Sequence, residues 1–175
     1  MSDRPRAHGT PGARPRVARP AVDPALAFTA DPERQPPSIV VGVDGSDASL
    51  RAVAYGAGLA RRQGAVLVAV YVRRSPSGFA YLANTPGALA AVVEAESTTE
   101  LRIRDEIADE CEAAGIDGTL VVRTGSAPRA VCAIAHELQA NAVVVGTRPG
   151  LFGRLVPVGR RHLMSRAGRP VVLVP

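Results

Sequence analysis

The sequence contains no lysine and no tryptophan, and it has only two cysteines. Without lysine there is no Schiff-base catalysis and no P-loop of the Gly-x4-Gly-Lys type. All 21 basic residues are therefore arginine. Aromatic residues make up 3% of the chain, so a core has to come from Val, Leu, Ile and Ala. Cys111 and Cys132 lack the spacing of a redox pair or a zinc site, and no disulfide framework is expected. No apolar run approaches the roughly 20 residues that span a bilayer, and the N-terminus has no apolar leader segment. These absences lead to the expectation of a soluble, cytoplasmic protein without membrane contact.

What is present suffices for one domain. The chain has 175 residues, 46% of them hydrophobic, with a formal net charge of +5. Residues 1–37 hold eight of the fifteen prolines and six arginines against four acids. Proline withholds N–H donors and few large apolar residues are available there, so a disordered tail is expected. Such a tail either contacts an acidic partner or has no specific partner. Residues 138–175 contain six arginines and no acid. That excess either attracts anions or forms a solvated face balanced by the acidic helix before it.

From Ser38 onward the pattern alternates. IVVGVD at 39–44 is a continuous β-branched run, as in a parallel strand buried on both faces. Gly45-Ser46 turns the chain into a helix carrying Leu50, Val53, Ala54, Ala57 and Ala60 on one side, closed by Gly64. Further strands are predicted at 66–72, 119–123, 142–145 and 171–174. Helices are predicted from about 86 to 114, from Ser126 as N-cap with Pro128 in the first turn, and over 159–167. In the long helix Ile103, Ile107, Cys111 and Ala114 form one stripe, and Glu100 and Arg104 pair on another face. This order predicts an α/β fold with a parallel sheet and helices on both faces. Ligands on such sheets bind beyond the strands' carboxyl ends, where the strand order reverses.

No catalytic set is visible, so no enzyme is expected. Asp44 at a strand end suggests a phosphoacceptor, but only Asp47 follows it, and Mg²⁺ at such sites needs more carboxylates. His136 and His162 lie on separate helical patterns without evident partners. The Gly-x-Ser-x-Gly elbow of a serine hydrolase is missing.

Five pieces in order resemble the universal stress protein family: IVVGVDGSDAS at 39–49, LVAVYV at 67–72, VRTGSAP at 122–128, NAVVVG at 141–146 and RPVVLVP at 169–175. The resemblance covers 38–175 and implies a five-stranded, Rossmann-like sheet in order 3-2-1-4-5, paired into a homodimer through the last strand. One branch of that family binds ATP and another does not. The binding branch carries Gly-x2-Gly-x9-Gly followed by Ser or Thr, whose backbone amides and hydroxyl hold the phosphates.

The matching positions here are Gly146, then Arg148 and Pro149 where the second glycine belongs, then Gly159, Arg160 and Arg161. The spacing of the outer glycines is kept. Pro149 has no N–H to offer, while Arg160 replaces a hydroxyl with a charged fork suited to phosphate. The resemblance further assigns Asp44 to the adenine and ribose side and Val72 to the base, with Gly42 and Val43 lining the mouth. Asp44 equally suits a capping role in the turn, and Val72 an ordinary strand position. The expectations are an adenine-nucleotide binder (ATP, with or without Mg²⁺) in stress signalling, or a non-nucleotide interaction dimer. Sequence-independent, salt-sensitive nucleic-acid binding is a third, since no groove-reading motif is present for specific recognition.

Overall fold

The computed structural model describes residues 36–73, 86–147, 163 and 165–175, with side chains described from 94 onward in the long helix. The chain order is β1 (Ser38–Val43), α1 (Asp47–Gln63), β2 (Val66–Arg73), α2 (Pro86–Ala114), β3 (Gly118–Thr124), α3 (Ala127–Glu137), β4 (Ala142–Gly146) and β5 (Val171–Val174). The five strands form one parallel sheet in order β3-β2-β1-β4-β5. The order reverses between β1 and β4, which places the switch point where the sequence led us to look.

Strand alternation divides the core into two layers. Val41, Val43, Ala69, Tyr71 and Val144 pack with Val53 and Ala57 of α1 and Ile103 and Ile107 of α2. Val40, Val68, Val70, Val72, Val143 and Val145 pack with Val131, Ile134 and Ala135 of α3 and with Leu163. Both faces of the central strands are thus dry, which is why β1 reads as an unbroken apolar run. The two cysteines are free and buried in opposite layers, Cys111 with α2 and Cys132 with α3.

Helix boundaries follow local chemistry. Ser46 caps α1, its hydroxyl accepting from the Ser49 amide, and Gly64 ends it in the left-handed conformation. Ser126 stands at the N-cap of α3 without a side-chain cap bond, and proline occupies the first turn as expected. One sequence expectation is corrected: Ala54 is exposed, and the buried stripe of α1 is Ala48, Ser49, Ala52, Val53, Gly56, Ala57 and Ala60. The helix lies against the sheet so closely that a methyl on Gly56 would fall 2.6 Å from Val41 Cγ2. That approach rotates the contact stripe onto its smallest residues.

The expected tail lies outside the described residues except for Pro36 and Pro37. The expected helix over 159–167 is described only at Leu163, Ser165 and Arg166, which are helical, and at Ala167, which follows them. Among the described residues no helix is long and apolar enough to cross a membrane.

Candidate functional site

The carboxyl ends of β1, β2 and β4 meet at the switch point. Gly42 pairs with Val145 and Val43 with Tyr71, so Gly146 and Val72 stand within one residue of the end of β1. The sheet therefore brings together Gly42, Val43, Asp44, Val72 and Gly146 from three separated segments. Arg148, Gly159, Arg160 and Arg161 lie outside the described residues, as does Pro149.

Asp44 is built into the β1–α1 turn. Its Oδ1 accepts from the Ser46 amide at 3.1 Å and from the Ser46 hydroxyl at 2.6 Å. Its own amide donates to Ser49 Oγ at 3.3 Å, and that hydroxyl donates to the Ser46 carbonyl at 2.8 Å. Gly45, between Asp44 and Ser46, has φ +79°, a conformation in which side chains are strained. The carboxylate is consequently held in one orientation at the mouth of the sheet. The bonds from Ser46 fulfil the capping role in the turn.

Val43 and Val72 are 2% and 4% exposed and face opposite layers, Val43 toward α1 and α2 and Val72 toward α3. Their backbones border the mouth while their side chains belong to the core. Gly146 has a packing reason to be glycine: a Cβ there would fall 2.5 Å from the Ala48 carbonyl oxygen and 2.9 Å from the Ser49 amide nitrogen. The first turn of α1 sits directly on the end of β4. The motif's first glycine is thus fixed by helix–strand contact whatever the loop after it holds.

Electrostatics at this edge are mixed. Asp44 and Asp47 occupy the positive end of the α1 dipole, where carboxylates are favoured. A short distance away, at the end of β2, Arg73 binds Glu100 of α2 through Nε and Nη2. That bond, the largest influence on it, holds the Arg73 guanidinium above its usual range, outweighing the partial desolvation that lowers it. Sequence reasoning found Glu100 with Arg104 but missed Arg73, and it missed the two serines that orient Asp44. Ser46 was visible as a turn residue; only the folded turn shows that it grips the carboxylate.

An open parallel sheet with this strand order, two helical layers and a polar turn at the reversal defines a doubly wound α/β protein. The universal stress protein family model matches residues 37–175, and the chain belongs to that family. No curated protein sequence matches the chain. Among solved structures, a universal stress protein in complex with cAMP is 27% identical, with TM-score 0.53 over 80% of this chain and 97% of that one. The universal stress protein from Archaeoglobus fulgidus in complex with dAMP is 25% identical, with TM-score 0.55 over 79% and 98%. UspA from Lactobacillus plantarum shares the fold at 18% identity and TM-score 0.62, over 81% and 99%.

Proposed function

We propose that this universal stress protein binds an adenine nucleotide at the carboxyl ends of β1, β2 and β4, and acts in stress signalling by binding instead of turnover. The observation that carries the reading is Asp44, an oriented carboxylate at the switch point. The two relatives of 25% identity or more described above hold cAMP and dAMP, which supports an adenylate as the ligand class.

The donor set fits one end of such a ligand. A carboxylate held beside Asp47 repels phosphate and accepts hydrogen bonds, so it suits ribose hydroxyls or an exocyclic amine. The phosphates belong on the other side of the mouth, toward Gly146 at the end of β4, with Arg148, Gly159, Arg160 and Arg161 in the sequence that follows. ATP, with or without Mg²⁺, fits this division: Arg160 supplies the charge-assisted bonds that Pro149 cannot. Isothermal titration of the full chain with AMP and with MgATP tests it. Saturable binding weakened by Asp44→Ala and Arg160→Ala is expected. Silence at millimolar concentrations of both nucleotides refutes the reading.

A second reading, an interaction dimer that holds no nucleotide, is favoured by one feature of β5. Its four residues are all half-buried, and among the described residues its one neighbouring strand is β4. The Pro170 and Val174 carbonyls accept from Val143 and Thr147 of the β4 side, so by alternation Val171 and Leu173 turn their backbone groups to the open edge. An open apolar edge of this kind pairs readily with a second copy. The two readings are compatible, and a dimer that binds no adenylate would leave the second standing alone.

A further inference from the structure

The pair Glu100–Arg104 reads in the sequence as an ordinary helix-surface pair, but in the fold it is one side of a three-membered cluster. Arg73 Nε donates to Glu100 Oε2 at 3.0 Å, Arg73 Nη2 donates to the same oxygen, and Arg104 Nη2 donates to Oε1 at 3.0 Å. The Glu100 side chain is 12% exposed and that of Arg104 28%, far less than a solvated surface pair. Arg104 Nε is buried without a hydrogen-bond partner. Two guanidiniums thus share one carboxylate that is itself largely withdrawn from solvent, where its charge is screened less than in bulk water, with Arg73 reaching it from the solvent side at 45% exposure.

The position of the cluster gives it a consequence for the site. Arg73 is the last residue of β2 and follows Val72 directly. Immediately before Glu100, Thr99 Cγ2 lies 3.2 Å from where a Cβ on Gly45 would stand, and Ile103 Cδ1 lies 3.7 Å from it. Residues 99–104 of α2 therefore touch both the turn that carries Asp44 and the exit of β2. Those are two of the three chain segments that build the mouth.

We propose that Glu100 is a positioning residue for the candidate nucleotide site, locking the exit of β2 to the stretch of α2 that backs the Asp44 turn. The proposal rests on the nucleotide reading for its ligand, though not for the ordering itself. Neutralising Glu100 removes the carboxylate that both guanidiniums share, and leaves Arg73 drawn toward Glu96, one turn earlier on α2. The exit of β2 then loses its tie to residues 99–104, and the Gly45 turn loses the support of Thr99 and Ile103.

The test uses the full chain and amide hydrogen exchange without ligand, followed by AMP titration. Glu100→Gln is expected to speed exchange about tenfold or more at residues 45–49 and 72–73 while leaving β3 and α3 unchanged. It is expected to weaken AMP binding by about tenfold. Glu100→Asp, which keeps a carboxylate between Arg73 and Arg104, is expected to restore much of both; a role of side-chain bulk alone would favour Gln over the shorter Asp. If Glu100→Gln does not fold, Arg73→Ala at the exposed end of the strand is expected to give the same regional change. Exchange at 45–49 unaltered in the folded variant, uniform acceleration across the domain, or Glu100→Asp as fast at the turn as Glu100→Gln would each overturn the proposal. If AMP binds neither wild type nor variant, the nucleotide reading fails, and the exchange result alone decides the role of Glu100.

Discussion

Gly146 illustrates how one residue answers to two demands. The motif spacing assigns it to phosphate, and the packing of α1 assigns it to helix–strand contact at 2.5 Å. Because the obstructing atoms are backbone, they cannot swing aside. Gly146→Ala is therefore expected to cost about 1–3 kcal/mol of stability, the range for forced overpacking, as measured by denaturant unfolding. Cys111 gives a second expectation at this scale. Burial, helped by Glu110 and Asp117, pushes its thiol from 9.0 up to about 11. Since the folded state disfavours the thiolate, the contribution is intact below pH 9 and is lost as pH rises toward 11. Cys111 should resist thiol reagents at pH 8 in the native protein and react on unfolding, and stability should fall across pH 9–11. Asp44 was legible in the sequence as a residue after a strand. Its grip by Ser46 and Ser49 was not, because strand and turn patterns do not say which of two nearby hydroxyls faces a carboxylate.

At the scale of elements, the strands were the most readable part. Each is a short run of Val, Ile, Leu and Ala, and burial on both faces leaves that run no reason to alternate. α1 was harder, since alanine and glycine occupy most of its circumference and weaken the apolar stripe; Ala54 was placed on the wrong side for that reason. The α1 terminus borders the proposed site, so its cap has a consequence for that proposal as well. Ser46→Ala removes the cap bond to the Ser49 amide and both the hydroxyl bond and the orientation it gives Asp44. It is expected to lower stability by about 1 kcal/mol and to weaken nucleotide binding without abolishing it. Thermal unfolding and titration of the same variant check the two effects separately. The link from Arg73 to Glu100, 27 residues apart, was beyond any local pattern, because only the crossover of α2 over the sheet brings them together.

For the whole molecule, strand order was legible through resemblance more than through physics. Alternating strands and helices require a parallel sheet, yet they do not by themselves choose 3-2-1-4-5. The structure supplies that order, and with it the switch point and, among the described residues, the place of β5 at the sheet's edge. Leu173→Pro removes an outward N–H while sparing the bonds to β4, so it is expected to leave the domain folded and to shift a dimer toward monomer in sedimentation velocity. An unchanged sedimentation coefficient would place self-association elsewhere or remove it.

Mapping amide chemical shifts of the full chain during titration with AMP tests whether an adenylate sits at the mouth formed by β1, β2 and β4. Saturable shifts concentrated at residues 42–46, 72–73 and 146–147 are expected, greatly reduced in Asp44→Ala. No shifts at millimolar AMP, or shifts clustered on another face of the sheet, would contradict it.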